Sequence, residues 1–250
     1  MRLENKIAIV TGAGSGFGKS IAEQYVAEGA SVVVNDIDTD AGETVAASLG
    51  GERALFHGAD VSKSDAVAAL VTAAVDRFGG LDIFVNNAGV AHRRRPMLEV
   101  DEATFDRIFA VNVKAIYLSA LHAVPVFRAR GGGVFINVAS TAGVRPPAGL
   151  TWYNGSKGAA ITLTKSMAVE LAPDGIRVCA INPGLGETGL TETFMGLPNT
   201  PENRARFEAK IPLGRLVQPR DVANAAVFFA ADASDGVTGV CLEVDGGRTV

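Results

Sequence analysis

Short apolar runs recur along the chain: IAIV (7–10), SVVV (31–34), ALFHGA (54–59), LDIFV (81–85), VFINVA (134–139), RVCAIN (177–182) and VCLEV (240–244). Runs of this length read as strands buried on both faces. Between most of them lie longer stretches of helical period, such as GKSIAEQYVAEGA and DAVAALVTAAVDRFG. Apolar strands alternating with amphipathic helices predict an α/β architecture, a parallel sheet of about seven strands with helices on both faces. Right-handed crossovers then make it doubly wound. No linker, repeat or low-complexity tract divides the chain, so one domain over 1–250 is expected. The longest stretch without a strand is 184–218, where Gly and Pro breakers surround a helical patch at 202–210. Ligands of α/β proteins bind at strand carboxyl ends, so a substrate lid around 185–212 is expected there. An ordinary surface excursion is the competing reading.

The chain has 250 residues, of which 48% are hydrophobic and 20% charged, enough for a sizeable core. Its net charge of −4 provides no general attraction to nucleic acid or to an anionic membrane. The start, MRLENKIAIVTG, lacks the pattern of a signal peptide, and no window is expected to reach the apolar length of a bilayer span. A cytoplasmic location is the default. Cys179 and Cys241 form no CxxC and read as buried free thiols. His57, His92 and His122 have no ligand spacing, so no metal site is expected.

The first strand runs into TGAGSGFG (11–18), and a helix follows. Gly12, Gly16 and Gly18 permit a tight turn whose backbone N–H groups meet a pyrophosphate at the helix N-terminus, with Ser15 and Phe17 between them. The second strand ends at Asn35-Asp36. An acid there accepts from adenosine ribose hydroxyls and repels a 2′-phosphate. Neither Ser15 nor Ile37 supplies a cation for such a phosphate, so the expected cofactor is NAD. The run Gly131–Gly133 precedes a strand and reads as the end of a helix. Tyr153 and Lys157 are four apart in a helical stretch, which sets a phenol and an ammonium on one face.

With these motifs in order, the chain resembles the short-chain dehydrogenase/reductase family in its compact, single-domain Rossmann-type branch, over essentially its whole length. Thr11-Gly12, Gly16 and Gly18 are similar to the family's cofactor turn. Asp60-Val61 is similar to its adenine-contacting pair, and Asn86-Asn87-Ala88-Gly89 to its NNAG. Asn112, Ser140, Tyr153 and Lys157 fall where the family has its catalytic four. Pro183-Gly184 followed by Thr188 resembles the segment that holds the nicotinamide carboxamide. The resemblance implies Tyr153 as acid/base and Lys157 on the nicotinamide ribose. It also implies that Asn112 holds a water in a proton relay and that the protein is a homotetramer. The family often has a branched apolar residue at the position of Gly186; a glycine there leaves a backbone contact but a looser lid.

A free tyrosine has a pKa near 10, so activity near neutrality calls for lowering it by about three units. Lys157 and the nicotinamide cation are the expected sources. Ser140 is placed to hydrogen-bond the substrate oxygen as its charge changes. The substrate is expected to be a secondary alcohol such as a polyol, sugar or hydroxy acid. Arg93, Arg94, Arg95 and Arg145, with Trp152, suggest an anionic group on it. A solvated loop or a subunit contact is the competing reading for the arginine run. Two alternatives stand beside this function: reduction of a 3-oxoacyl thioester, and a nucleotide-sensing protein without catalysis.

Overall fold

The computed structural model describes residues 1–250. Its seven strands are β1 (Ile7–Thr11), β2 (Ser31–Asn35), β3 (Ala54–Phe56), β4 (Ile83–Asn86), β5 (Gly133–Val138), β6 (Ile176–Pro183) and β7 (Cys241–Val244). They form one sheet in the order β3-β2-β1-β4-β5-β6-β7, with every pairing parallel. Each predicted run contains a strand. The third stops early because the carbonyls of His57 and Ala59 turn to accept from the Asn35 side-chain amide, at 3.0 and 3.2 Å.

The two-residue alternation along each strand divides the core. Ala8 and Val10 face a layer built by α1 (Gly16–Ala27), α2 (Thr39–Leu49) and α9 (Pro219–Ala230). Ile7 and Ile9 face a second layer from α3 (Ser64–Phe78), α5 (Ala115–Arg130) and α6 (Thr151–Leu171). Burying one such aliphatic side chain is worth roughly 1.5–3 kcal/mol, so both faces of the central strands contribute. The crossover from β3 to β4 passes back over β2 and β1. It opens a crevice at the carboxyl ends of β1 and β4, where the winding reverses.

The stretch before β5 is continuous helix, but not regular. α4 (Glu102–Phe109) leads into a five-residue π turn, Ala110–Lys114, before α5 begins. This helical run is long and apolar enough to cross a membrane by length and composition, contrary to the expectation that no window would be. The reason lies in packing: Ala123, Val124 and Phe127 are buried against the sheet and Leu118 against Val61 and Val67, while Tyr117 and Leu121 are exposed. After β6 the chain makes two short helices, α7 (Thr191–Met195) and α8 (Pro201–Glu208), within the expected lid segment. Gly131 ends α5 in the left-handed conformation, at φ 83°.

Candidate active site

The crevice is one large cavity of about 1060 Å³. At its base the turn after β1 is locked to the end of β4. The Thr11 hydroxyl accepts from the backbone N–H of Asn87 and of Ala88, both at 3.0 Å. The Asn87 amide donates back to the Thr11 and Gly12 carbonyls, at 2.7 and 3.1 Å. Glycine is required by this close approach. A Cβ on Gly18 would lie 2.2 Å from the Gly12 carbonyl, and one on Gly12, 2.9 Å from the Ala88 Cα. The Ser15 hydroxyl makes no capping bond at the start of α1. Thr188, across the crevice, would meet a Cβ on Gly16 at 3.3 Å.

Asp36 is held by two backbone N–H groups, from Gly14 at 2.8 Å and Asp38 at 3.0 Å, which aims its carboxylate at the glycine turn. Beside it Ile37 is 74% exposed on the cavity wall, an apolar surface of the kind an adenine covers. Asp60 accepts from the Ser62 N–H and hydroxyl. Burial works upward on its pKa, but these bonds with Lys63 and Arg107 hold it below the usual carboxylate value. Val61, Gly89, Pro183 and Gly184 also line the wall. The chain's own groups therefore fit a dinucleotide: a glycine-rich turn at a helix N-terminus, a carboxylate directed at it, and an apolar shelf.

Further along, four buried or lining residues converge from three elements. Tyr153 and Lys157 share a face of α6, with Lys157 Nζ 5.9 Å from the Tyr153 ring centre. Lys157 donates to the Val138 carbonyl at 2.8 Å. Ser140 follows β5, and its Oγ caps the next turn by accepting from the Ala142 N–H at 3.1 Å. Asn112 lies in the π turn, where an extra residue in the helix aims its amide inward. That amide donates to the Val90 carbonyl and accepts from the Val90 N–H, both at 2.9 Å, and donates to Ser156 at 3.0 Å. A second cavity, of about 10 Å³, touches Asn112, Lys157 and Thr11; it is roughly the room for one water.

The pKa of Tyr153 differs from the expectation. Burial pushes it up to about 12, and only the hydrogen bond with Ser140 works downward. Burial also brings Lys157 down to about 8. Desolvation is the leading cause for both groups.

Of the proposed substrate residues, the structure brings Arg94 and Arg145 to the cavity wall and leaves Arg93, Arg95 and Trp152 outside it. The Trp152 indole instead donates to the Met97 carbonyl at 3.2 Å and packs edge-on to Phe105. Gly186 also departs from the expectation of looseness. It is buried, bridges to Val217, and accepts from the Thr191 hydroxyl at 2.8 Å. A Cβ at 186 would lie 2.3 Å from the Phe17 ring, so the phenyl occupies the space that a side chain there would take. Sequence reasoning missed Phe194, whose ring is 5.0 Å from that of Tyr153, and Lys210, Ile211 and Arg248 on the same wall. Arg248 follows the carboxyl end of β7, and the rule that such ends converge on the ligand was a usable signal for it.

A doubly wound sheet with a dinucleotide cradle and a Ser-Tyr-Lys-Asn group defines an oxidoreductase of CH–OH groups. A family model described as enoyl-(acyl carrier protein) reductase matches residues 12–249, and the chain belongs to this family within the short-chain dehydrogenases/reductases. It is 50% identical to a 4-formylbenzenesulfonate dehydrogenase of Comamonas testosteroni, covering 100% of both chains. It is 39% identical to a cis-4-hydroxycyclohexanecarboxylate dehydrogenase of Sinomonas cyclohexanicum, covering 98% of this chain and 96% of that one. A crystal structure of a 3-ketoacyl-(acyl-carrier-protein) reductase from Brucella melitensis, complexed with NADH, superposes with a TM-score of 0.94 at 44% identity. It covers 99% of this chain and 100% of that one.

Proposed function

We propose that the protein interconverts a small alcohol and its carbonyl compound with NAD, using Tyr153 as the acid/base. The observation that carries this reading is the convergence of Ser140, Tyr153 and Lys157 on a cavity whose other end is the glycine turn and Asp36, with Asn112 beside Lys157 at the small cavity behind it. Gly12, Ser15, Gly16, Phe17 and Gly18 would hold the pyrophosphate, Asp36 the ribose hydroxyls, and Asp60 with Val61 the adenine. Asn87, Ala88 and Gly89, with Pro183, Gly184, Gly186 and Thr188, would hold the nicotinamide half together with Tyr153 and Lys157. When bound, NAD⁺ supplies the hydride acceptor and a positive charge.

The remaining work belongs to the chain. As the carbinol C–H departs as hydride, the Tyr153 phenolate takes the O–H proton, and the alcohol becomes a carbonyl. In reduction the protonated phenol returns it. Ser140 fixes the substrate oxygen. Lys157, Asn112 and one water in the small cavity pass the proton onward. The segment 185–212 closes over the substrate.

Two relatives are named for six-membered rings bearing an anion, a sulfonate and a carboxylate, and this supports an anionic ring substrate. A thioester reductase is the second reading, favoured by the ketoacyl reductase likeness. An acidic carrier protein needs a free basic surface, however, and here Arg128 is paired with Asp174 and Arg130 with Asp82.

The test is NADH formation from NAD⁺ over a panel of secondary alcohols, hydroxy acids and anionic ring alcohols. NADP⁺ and a 3-oxoacyl thioester with NADPH run in parallel. Tyr153→Phe is expected to lower kcat about a hundredfold or more while NADH still binds. Turnover that survives this substitution, or that requires NADPH and a thioester, would refute the reading.

A further inference from the structure

The cavity wall beyond Tyr153 is assembled from segments far apart in the chain, and four of them bring a cation. Arg94 comes from the loop after β4, Arg145 from that after β5, Lys210 from the end of the lid, and Arg248 from the turn after β7. Contacts tie these segments into a ring. Arg94 Nε donates to the Ala148 carbonyl at 3.0 Å, and Arg145 Nη1 donates to the Arg248 carbonyl at 2.9 Å. A Cβ on Gly246 would lie 2.6 Å from Ile211, so the final turn abuts the end of the lid.

None of the four cations has a carboxylate partner. Arg128, Arg130, Arg204 and Arg215 elsewhere each have one. The carboxylates along the cavity are Asp36 and Asp60, at the dinucleotide end, and Asp106 on α4 next to Arg107. Like charges gathered at one mouth repel one another, and a bound anion relieves that. Arg94 and Arg145 each spend one guanidinium nitrogen on a carbonyl, which leaves donors of the planar fork to meet two oxygens. Leu150 and Phe194 pack on Tyr153, and Ile211 adds a further apolar side chain to the same cavity wall.

Arg94 is also fixed in place. A Cβ on Gly149 would lie 2.6 Å from its Cγ, and one on Gly196, in the lid, 3.3 Å from its Cβ. The arginine stem thus lies between two glycines, one on each side of the cavity mouth.

We infer that Arg94, Arg145, Lys210 and Arg248 form a single anion-reading end of the substrate site. It selects compounds with a flat or ring-shaped apolar body and a carboxylate or sulfonate remote from the reacting carbon. This rests on the reaction proposed above. It adds Lys210 and Arg248 to the specificity residues and removes Arg93 and Arg95.

Two measurements separate it from that reaction. The first compares kcat/KM with NAD⁺ for 4-(hydroxymethyl)benzenesulfonate and its neutral sulfonamide, and for 4-hydroxycyclohexanecarboxylate and its carboxamide. The second is calorimetric binding of benzenesulfonate against benzenesulfonamide to the protein with NADH. The wild type is expected to prefer each anion at least about tenfold. Arg94→Met, Arg145→Met and Arg248→Met are each expected to raise KM for it about ten- to a hundredfold with kcat little changed, and Lys210→Met severalfold. Arg93→Met leaves both measurements unchanged. Equal turnover of charged and neutral members, or a preference that survives all four substitutions, overturns the inference and spares the reaction. Benzenesulfonate binding that depends on these residues, without turnover of any alcohol, keeps the inference and overturns the reaction.

Discussion

Lys157 shows how a single side chain carries both a cost and a role. Its ammonium is buried and meets one carbonyl, that of Val138. Burial lowers its pKa from 10.5 to about 8. Between these values the unfolded chain holds a proton that the folded chain has released, so stability rises with pH through that window. As pH falls through the folded value, that contribution is lost. The wild type is therefore expected to gain about 3 kcal/mol over Lys157→Met between pH 8 and 10.5. Denaturant unfolding of the two proteins at both ends of the window measures this; a constant difference between them would show that the ammonium is not desolvated. The position of Lys157 was legible in the i,i+4 spacing from Tyr153. The opposite pKa directions of the two were not, because burial on the far side of α6 depends on β5 and the loop after it.

At the level of elements, Phe17 and Gly186 belong to α1 and to the segment after β6, yet they fill one space. The sequence comparison with the family placed a branched residue at 186 and so read the glycine as slack. In three dimensions the slack is taken up by the ring of Phe17. Gly186→Val alone is expected to clash and weaken NADH binding, and Phe17→Ile alone to leave a gap. The double variant is expected to recover much of either loss, with a coupling of about 0.5–3 kcal/mol. A double-mutant cycle on the NADH dissociation constant gives the number, and strict additivity would mean that the two positions are independent. The π turn at 110–114 is a similar case. The sequence marks Asn112, but the extra residue that turns its amide toward Val90 and Ser156 is set by the packing of α4 and α5.

For the whole molecule, we propose assembly into a homotetramer from the exposed apolar surface. Tyr117 and Leu121 on α5 and Val169 on α6 are 60, 47 and 81% exposed, and Phe228 on α9 and Val240 and Leu242 at β7 are exposed as well. Two such faces on one chain suit a tetramer with two kinds of interface. Light scattering is expected to give a tetramer mass, and Tyr117→Glu with Leu121→Glu to lower it to that of a dimer or monomer. A monomeric wild type would leave these faces without a partner.

The order of strands and helices, the glycine turn, Asp36 and the Ser-Tyr-Lys-Asn group follow from the sequence alone. The elements and the Tyr153–Lys157 pair depend on local periodicity and spacing, which backbone geometry translates directly. The glycine turn and Asp36 depend on their places after the first two strands, and Ser140 and Asn112 on the resemblance to the family's motifs. Tertiary structure decided what depends on distance across the fold. It separated Arg94 from Arg93 and Arg95 in a uniform basic run, because only Arg94 has its stem between Gly149 and Gly196. It brought Arg248 from the far end of the chain beside Arg145. Neither outcome is encoded in neighbouring residues: both arise where parallel strands deliver their carboxyl ends to the same side of one sheet.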